Sequence, residues 1–230
     1  MDTEVFLIVL FSAFLHAIWN SMASKYKDKN VSIGAIVYGH VPLCIVAIIF
    51  LPAPSIESFP YIILSALIHQ GYQNFLLTAY QTGKFTTVYP VARGFGPLVA
   101  TIISIIFLGV YLKAFTIVSI LLISLGVMLI GFFSKSVIKN NKILYTSLAT
   151  GVFIGIYSVV DGQGARISGS AISYMSWVFV FSALFFPVVL HFRKQKNILK
   201  KTLTKGKAVF WIGGTFSYLA YVVTVWAFTK

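Results

Sequence analysis

Long apolar runs alternate with short polar breaks along the whole chain. A helix needs about 20 mainly apolar residues to cross roughly 30 Å of hydrocarbon, and the pattern contains eight runs of about this length. It therefore predicts an all-α membrane protein with eight transmembrane helices. The predicted spans are residues 4–23, 32–51, 59–80, 86–110, 114–133, 144–162, 171–191 and 208–229.

The first span has a second interpretation, because residues 21–23 resemble the small-residue cleavage site of a secretory signal. A signal peptide has a basic start and a plain apolar core. This segment instead starts with Asp2 and Glu4 and carries polar residues at its centre. We therefore predict a retained helix.

Charge and composition exclude two classes of protein. Only 10% of the 230 residues are charged and 58% are hydrophobic, whereas an ordinary globular domain is about 25% charged. This chain cannot cover a water-facing surface, so it is not a soluble globular protein. The net charge of +13 would indicate a nucleic-acid-binding protein only if the basic residues formed a water-facing surface with base-recognition motifs, and the sequence shows neither.

The single cysteine, Cys44, excludes an intramolecular disulfide.

The basic residues of the polar breaks are distributed unequally between the two sides of the predicted membrane. Fourteen lie on one side and three, Lys113, Arg166 and Lys230, on the other. Basic loops remain in the cytoplasm, so both ends of the chain are predicted to lie outside. The run 193–207 is predicted to be a cytoplasmic loop that contacts anionic membrane lipid.

Polar residues recur on one face of several predicted helices. They are His16, Trp19 and Asn20 in the first helix, His69, Tyr72, Gln73 and Tyr80 in the third, Tyr157 and Asp161 in the sixth, and Ser217, Tyr218 and Tyr221, which lie close together, in the eighth. Spacings of three and four residues place side chains on one helix face. Such faces either join helices by hydrogen bonds and form an interfacial aromatic belt, or line a shared cavity. Their presence on separate helices favours a cavity.

The fourth predicted span combines a cation with residues that weaken helices. The weakening residues are Pro90, Gly94, Gly96 and Pro97. Arg93 lies between the two prolines, Tyr89 lies one turn before it, and the span contains no acidic residue. Interrupted membrane helices are typical of transporter binding sites. Arg93 either pairs with carbonyls or Asp161 from another helix, or attracts the anionic part of a solute.

Asp161 is the carboxylate predicted at membrane depth. It precedes Gly162-Gln163-Gly164 near the predicted end of its helix, so it either caps the helix in the headgroup layer or takes part in proton coupling. Enzyme, metal and cofactor motifs are absent from the sequence, and we expect no enzyme and no cofactor. An intramembrane enzyme would require histidines to converge with Asp161. The chain has four: His16, His40, His69 and His191.

Four segments share their order and spacing with one transporter family. They are AFLHAIWNSMASK in the first span, HQGYQNFLLTAYQTG in the third, TTVYPVARGFGPLVA in the fourth and YSVVDGQGAR after the sixth. Together they resemble the EamA-type transporters of the drug/metabolite transporter superfamily. The resemblance implies two five-helix repeats, inverted in the membrane, that move small metabolites by alternating access.

The same resemblance implies a division of the chain. Residues 1–133 correspond to the first five-helix repeat, and residues 142–230 correspond to three helices of an incomplete second repeat. The family pattern has two further helices. Their lack implies a truncated product, or a homodimer in which a second copy fills the gap. The predicted location is the bacterial inner membrane.

The sequence thus predicts a secondary transporter-like protein for a small anionic or zwitterionic metabolite. The alternative is a truncated or accessory bundle that does not transport. The predicted solute-binding residues are His16, Trp19, Asn20, His69, Tyr72, Gln73, Tyr89, Arg93, Tyr157 and Asp161. The predicted hinge residues are Pro90, Gly94, Gly96 and Pro97.

Overall fold

A computed structural model describes residues 3–134 and 140–230, and the regular structure in these ranges is helical. Ten α-helices are present there: α1 (Thr3–Lys25), α2 (Lys29–Gly39), α3 (Val41–Phe50), α4 (Phe59–Thr82), α5 (Phe85–Leu108), α6 (Ala114–Phe132), α7 (Asn141–Ser168), α8 (Ala171–Phe192), α9 (Ile198–Thr204) and α10 (Gly214–Phe228). A 3₁₀ turn (Ile56–Ser58) precedes α4, and a π-helical segment (Val209–Gly213) precedes α10.

Seven helical segments in the described ranges are long and apolar enough to cross a membrane. This is the architecture of a multi-pass integral membrane protein and confirms the all-helical prediction at that level. The third predicted span forms the 24-residue helix α4, which is not among the seven. Polar residues such as His69, Gln70 and Gln73 lower its hydropathy. The eighth crossing therefore stays a prediction.

The structure differs from the predicted layout at three places. The sixth span ends at residue 162 in the sequence analysis, but α7 continues to Ser168. Gly164 lies inside this helix, and the ring of Tyr174 packs against it where a side chain would stand. The predicted loop 193–207 contains the short helix α9. The predicted second span consists of α2 and α3, which meet at His40, where Pro42 supplies no backbone N–H.

The described residues divide into two compact units. One comprises Met1–Gln70 with Val160–Lys230, and the other comprises Gly71–Val159. In the first unit α1 packs along α10, α3 along α8, and α9 against α2. Side-chain hydrogen bonds accompany this packing: the Ser12 hydroxyl donates to the Ala220 carbonyl (2.6 Å), and the Ser173 hydroxyl donates to the Pro52 carbonyl (2.7 Å).

Glycines allow close helix packing in the second unit. A Cβ atom at Gly94 in α5 would lie 2.7 Å from the Ser124 carbonyl oxygen of α6, and a Cβ at Gly131 in α6 would lie 2.7 Å from the Thr87 carbonyl oxygen of α5. Gly151 in α7 similarly faces the Ala92 carbonyl oxygen at 2.9 Å. Small residues bring membrane helices into backbone contact, so α5 is held between α6 and α7.

Candidate functional site

The residues predicted to bind a solute fall into two groups, one in each unit. His16, Trp19, Asn20, His69 and Asp161 belong to the first unit, and Tyr72, Gln73, Tyr89, Arg93 and Tyr157 belong to the second. Most of these side chains are buried, whereas Tyr89 and Arg93 are partly exposed. Each group is a set of polar side chains on helices that are otherwise apolar.

The group in the second unit is a cluster of tyrosines around one arginine, here named the arginine cluster. It comprises Tyr72, Tyr80, Tyr89, Arg93 and Tyr157. The guanidinium carbon of Arg93 lies 5.6 Å from the centre of the Tyr89 ring, within cation–π range. Arg93 also interacts electrostatically with the other three tyrosines. The rings of Tyr72 and Tyr157 meet edge to face, with centres 5.3 Å apart.

Three helices position these side chains. Tyr72 and Tyr80 lie two turns apart on α4, Tyr89 and Arg93 lie one turn apart on α5, and Tyr157 comes from α7. Helices α5 and α7 approach each other at the glycine contacts. This brings α7 close enough to contribute a side chain to the arginine cluster. Gln73 is buried beside Tyr72 on α4.

The predicted hinge residues all lie within α5, which is helical from Phe85 to Leu108. Pro90 and Pro97 are inside this helix. Proline has no N–H for the carbonyl four residues earlier, so Pro97 makes no helical hydrogen bond to the carbonyl of Arg93. Gly94 and Gly96 pack closely against α6 and α7. The two glycines are therefore packing residues in this structure, while the prolines mark the weaker points of the helix.

The group in the first unit centres on Asp161 and is here named the carboxylate cluster. It comprises Ser65, His69, Asp161, Tyr174 and Tyr221. Asp161 is fully buried and lies seven residues before the end of α7. The Tyr174 hydroxyl donates to its Oδ1 (3.1 Å), and the Tyr221 hydroxyl donates to its Oδ2 (2.7 Å). Each carboxylate oxygen thus has a tyrosine donor.

His69 is the base of this cluster. Its Nδ1 lies 2.9 Å from the Ser65 carbonyl oxygen and 3.2 Å from the Ser65 hydroxyl. A carbonyl oxygen only accepts, so Nδ1 carries a hydrogen and the proton that His69 gains or loses is on Nε2. His69 and Asp161 interact electrostatically, and the His69 ring lies 5.8 Å from that of Tyr221.

The first-helix motif borders the carboxylate cluster. The Trp19 indole donates to Nδ1 of His16 (3.1 Å), and the Asn20 amide donates to the His16 carbonyl (2.9 Å). These bonds explain the spacing of the three residues on α1. The centre of the His16 ring lies 6.2 Å from that of Tyr221. Tyr221 therefore contacts both this motif and Asp161.

A third histidine lies nearby. His40 stacks on Phe179 with ring centres 4.2 Å apart, and Phe179 also contacts His69. Three of the four histidines thus lie against Phe179 or Tyr221, whereas His191 is exposed at the end of α8. Within residues 3–134 and 140–230, no group of three His, Cys, Asp or Glu side chains is arranged to hold a metal ion.

The predicted solute-binding residues do not include Ser65, Tyr80, Tyr174 or Tyr221. Ser65 lies four residues before His69 and therefore on the same face, which is a usable signal. Tyr221 lies in a polar segment of the last predicted span. Tyr174 follows the start of α8 by one turn, where an interfacial tyrosine is also expected. Only packing against Gly164 brings its hydroxyl to Asp161.

With this geometry established, comparison provides no family assignment. Searches against protein-family models and against curated proteins found no match. The EamA-type resemblance therefore stays a prediction that rests on the four sequence segments.

Proposed function

We propose that this protein is a secondary transporter-like membrane protein that moves a small anionic or zwitterionic metabolite by alternating access, with the EamA-type plan. The observation that carries the proposal is the arginine cluster. A guanidinium is costly inside an apolar helix bundle, and ionisable residues there commonly mark a solute path. Arg93 retains partial accessibility, as a solute-binding cation requires.

The chemistry of the arginine cluster fits a carboxylate or phosphonate group. The planar guanidinium binds such groups through two parallel hydrogen bonds. The tyrosine hydroxyls add donors and acceptors, and their rings add apolar contact for the rest of a small molecule. Because Pro97 omits the helical hydrogen bond at the Arg93 carbonyl, α5 is weakest beside the proposed binding residue.

Vesicle reconstitution tests this proposal. Purified protein is incorporated into liposomes and assayed with a panel of radiolabelled carboxylates, phosphonates and amino acids. We expect flux of at least one solute and a loss of about tenfold or more in Arg93→Ala, because a hydrogen bond to a charged group contributes about 1.5–3 kcal/mol. Arg93→Lys retains the charge and is expected to retain part of the flux.

Arg166→Ala is the matched control. Arg166 is exposed and donates to the Phe228 carbonyl (2.6 Å), so its removal is expected to leave flux unchanged. Flux that is equal in the wild type and Arg93→Ala would remove Arg93 from the binding site. A folded wild-type protein that moves no solute of the panel would support the alternative, a bundle that does not transport.

A further inference from the structure

Asp161 poses an energetic problem that its neighbours solve only in part. Among the described residues it is the one buried carboxylate, since Glu4 and Glu57 are exposed and Asp28 is partly exposed. An isolated carboxylate in an apolar interior is strongly disfavoured, and such groups either take up a proton or pair with a cation. Within the described part of the first unit, the ionisable side chain that can carry the opposite charge and interacts with Asp161 is His69.

The hydrogen bonds around Asp161 suit both of its protonation states. A tyrosine hydroxyl is a donor and an acceptor, so Tyr174 and Tyr221 donate to the carboxylate, and either can rotate to accept from the carboxylic acid. A backbone N–H or a lysine ammonium cannot accept from the carboxylic acid, so it would favour the charged form. A carboxyl group that exchanges its proton is expected to have such partners, which can both donate and accept a hydrogen bond.

His69 supplies a second place for the same proton. Because Nδ1–H donates to the Ser65 carbonyl, Nε2 accepts a proton without loss of that bond. With one added proton the pair is either imidazolium with carboxylate or imidazole with carboxylic acid, and both forms carry no net charge. Loss of the proton leaves one negative charge on Asp161. The atoms and charges balance with the proton as the only exchanged species.

The surrounding titratable groups do not compete for this proton. His40 interacts with His69, but its Nε2 is buried without a hydrogen-bond partner in the described part of the chain, so a proton there would add an unsatisfied charge. His16 already uses Nδ1 as an acceptor from Trp19. The other titratable groups described near Asp161 are tyrosines. Tyr174 and Tyr221 donate to its carboxylate, and Tyr61 interacts with Tyr174.

We propose that His69 and Asp161 form a binding site for one exchangeable proton, and that this proton is the coupling ion of the transport cycle. The second half of the statement rests on the proposed function, whereas the first half concerns the protein alone. The proton site lies in the first unit and the arginine cluster in the second, so the two sites are changed by different substitutions.

Proton binding is measured on purified protein without any solute. Infrared difference spectra between acidic and alkaline pH report protonated carboxylic acids, and the chain has only five acidic residues. We expect a carboxylic-acid band that is lost in Asp161→Asn and kept in Asp28→Asn. Asp28 caps α2, and asparagine caps helices equally well, which makes this a matched control.

Histidine NMR on ¹⁵N-labelled protein provides the second signal. We expect the His69 ring to change protonation over the same pH range as the acid band, and over a different range in Asp161→Asn. His69→Gln assigns the resonance, and His191→Gln is the control. If Asp161→Asn does not fold, Asp161→Glu is expected to restore an acid band, and Tyr221→Phe is expected to shift it because one hydrogen bond is lost.

Identical difference spectra of the wild type and Asp161→Asn would overturn the proton site. In vesicles, coupling predicts that an imposed pH gradient changes solute flux in the wild type and not in Asp161→Asn, and gradient-insensitive wild-type flux would overturn the coupling. A protein that moves no panel solute contradicts the proposed function, while the spectra still decide whether the proton site exists.

Discussion

The contact between Tyr174 and Asp161 depends on the absence of a side chain at position 164. A Cβ atom at Gly164 would lie 2.5 Å from the Tyr174 hydroxyl oxygen and would overlap the ring. Tyr174 is fully buried, so the ring has no space into which it can move. At the scale of single residues, one glycine thus determines whether a tyrosine reaches the carboxylate.

We expect Gly164→Ala to destabilise the protein by about 1–3 kcal/mol, the usual cost of inserting a methyl group into a packed interior. The matched control is Gly126→Ala in α6, where an added Cβ meets nothing within 4 Å. That substitution is expected to stabilise by about 0.5–1 kcal/mol, because glycine weakens a helix interior. The measurement is the temperature at which the single, buried Cys44 reacts with a thiol dye. Equal effects of the two substitutions would contradict the packing argument.

At the scale of helices, the apolar pattern predicted the existence and approximate position of every long helix. Runs such as 114–133 are unambiguous because length and hydropathy agree, and α6 begins at Ala114 and ends at Phe132. The pattern failed where tertiary packing overrides a local signal. Gly162 and Gly164 indicate a helix end, yet α7 passes through both, and the second glycine makes room for the ring of Tyr174.

The site was predictable only along single helices. The faces of α1 and α4 follow from spacing, and the structure places His16, Trp19 and Asn20 in one hydrogen-bonded motif as that spacing implies. Spacing contains no information about which helices face each other. Tyr174 therefore escaped prediction, and the polar group of the eighth span gave no indication that Tyr221 meets Asp161, since both tyrosines reach it from other helices.

The prolines of α5 allow a test at the same scale. Pro97→Ala restores an N–H that can donate to the Arg93 carbonyl, so we expect the free energy of unfolding to rise by up to about 3 kcal/mol. We also expect slower flux if bending of α5 is part of the transport cycle. Pro187→Ala is the matched control because Pro187 lies inside α8 of the first unit, whereas the arginine cluster belongs to the second. Vesicle flux and Cys44 reactivity are measured on both. Wild-type flux in Pro97→Ala would exclude a hinge at this position.

At the scale of the whole molecule, the number of crossings determines where every loop lies. Seven helical segments satisfy length and hydropathy, and α4 is long enough but more polar. If α4 crosses, the basic residues of the breaks divide fourteen to three between the two sides; if it does not, they divide eleven to six. Since basic loops remain in the cytoplasm, the charge distribution favours a crossing by α4. Its polar face is then turned toward protein, as the buried His69 and Gln73 indicate.

Loop accessibility distinguishes the two arrangements. Glu57 precedes α4 and Tyr111 follows α5, and both are exposed. In a Cys44→Ser background, we expect Glu57→Cys and Tyr111→Cys to react with a membrane-impermeant thiol reagent in intact cells, because two crossings return the chain to the same side. Lys27→Cys, in the loop after α1, is expected to react only after permeabilisation. If α4 does not cross, the cysteines at positions 57 and 111 lie on opposite sides, and the one at position 111 shares its side with position 27. Reaction of only one of the first two in intact cells would therefore show that α4 remains on one side of the membrane and would contradict the five-helix first repeat that the family resemblance implies.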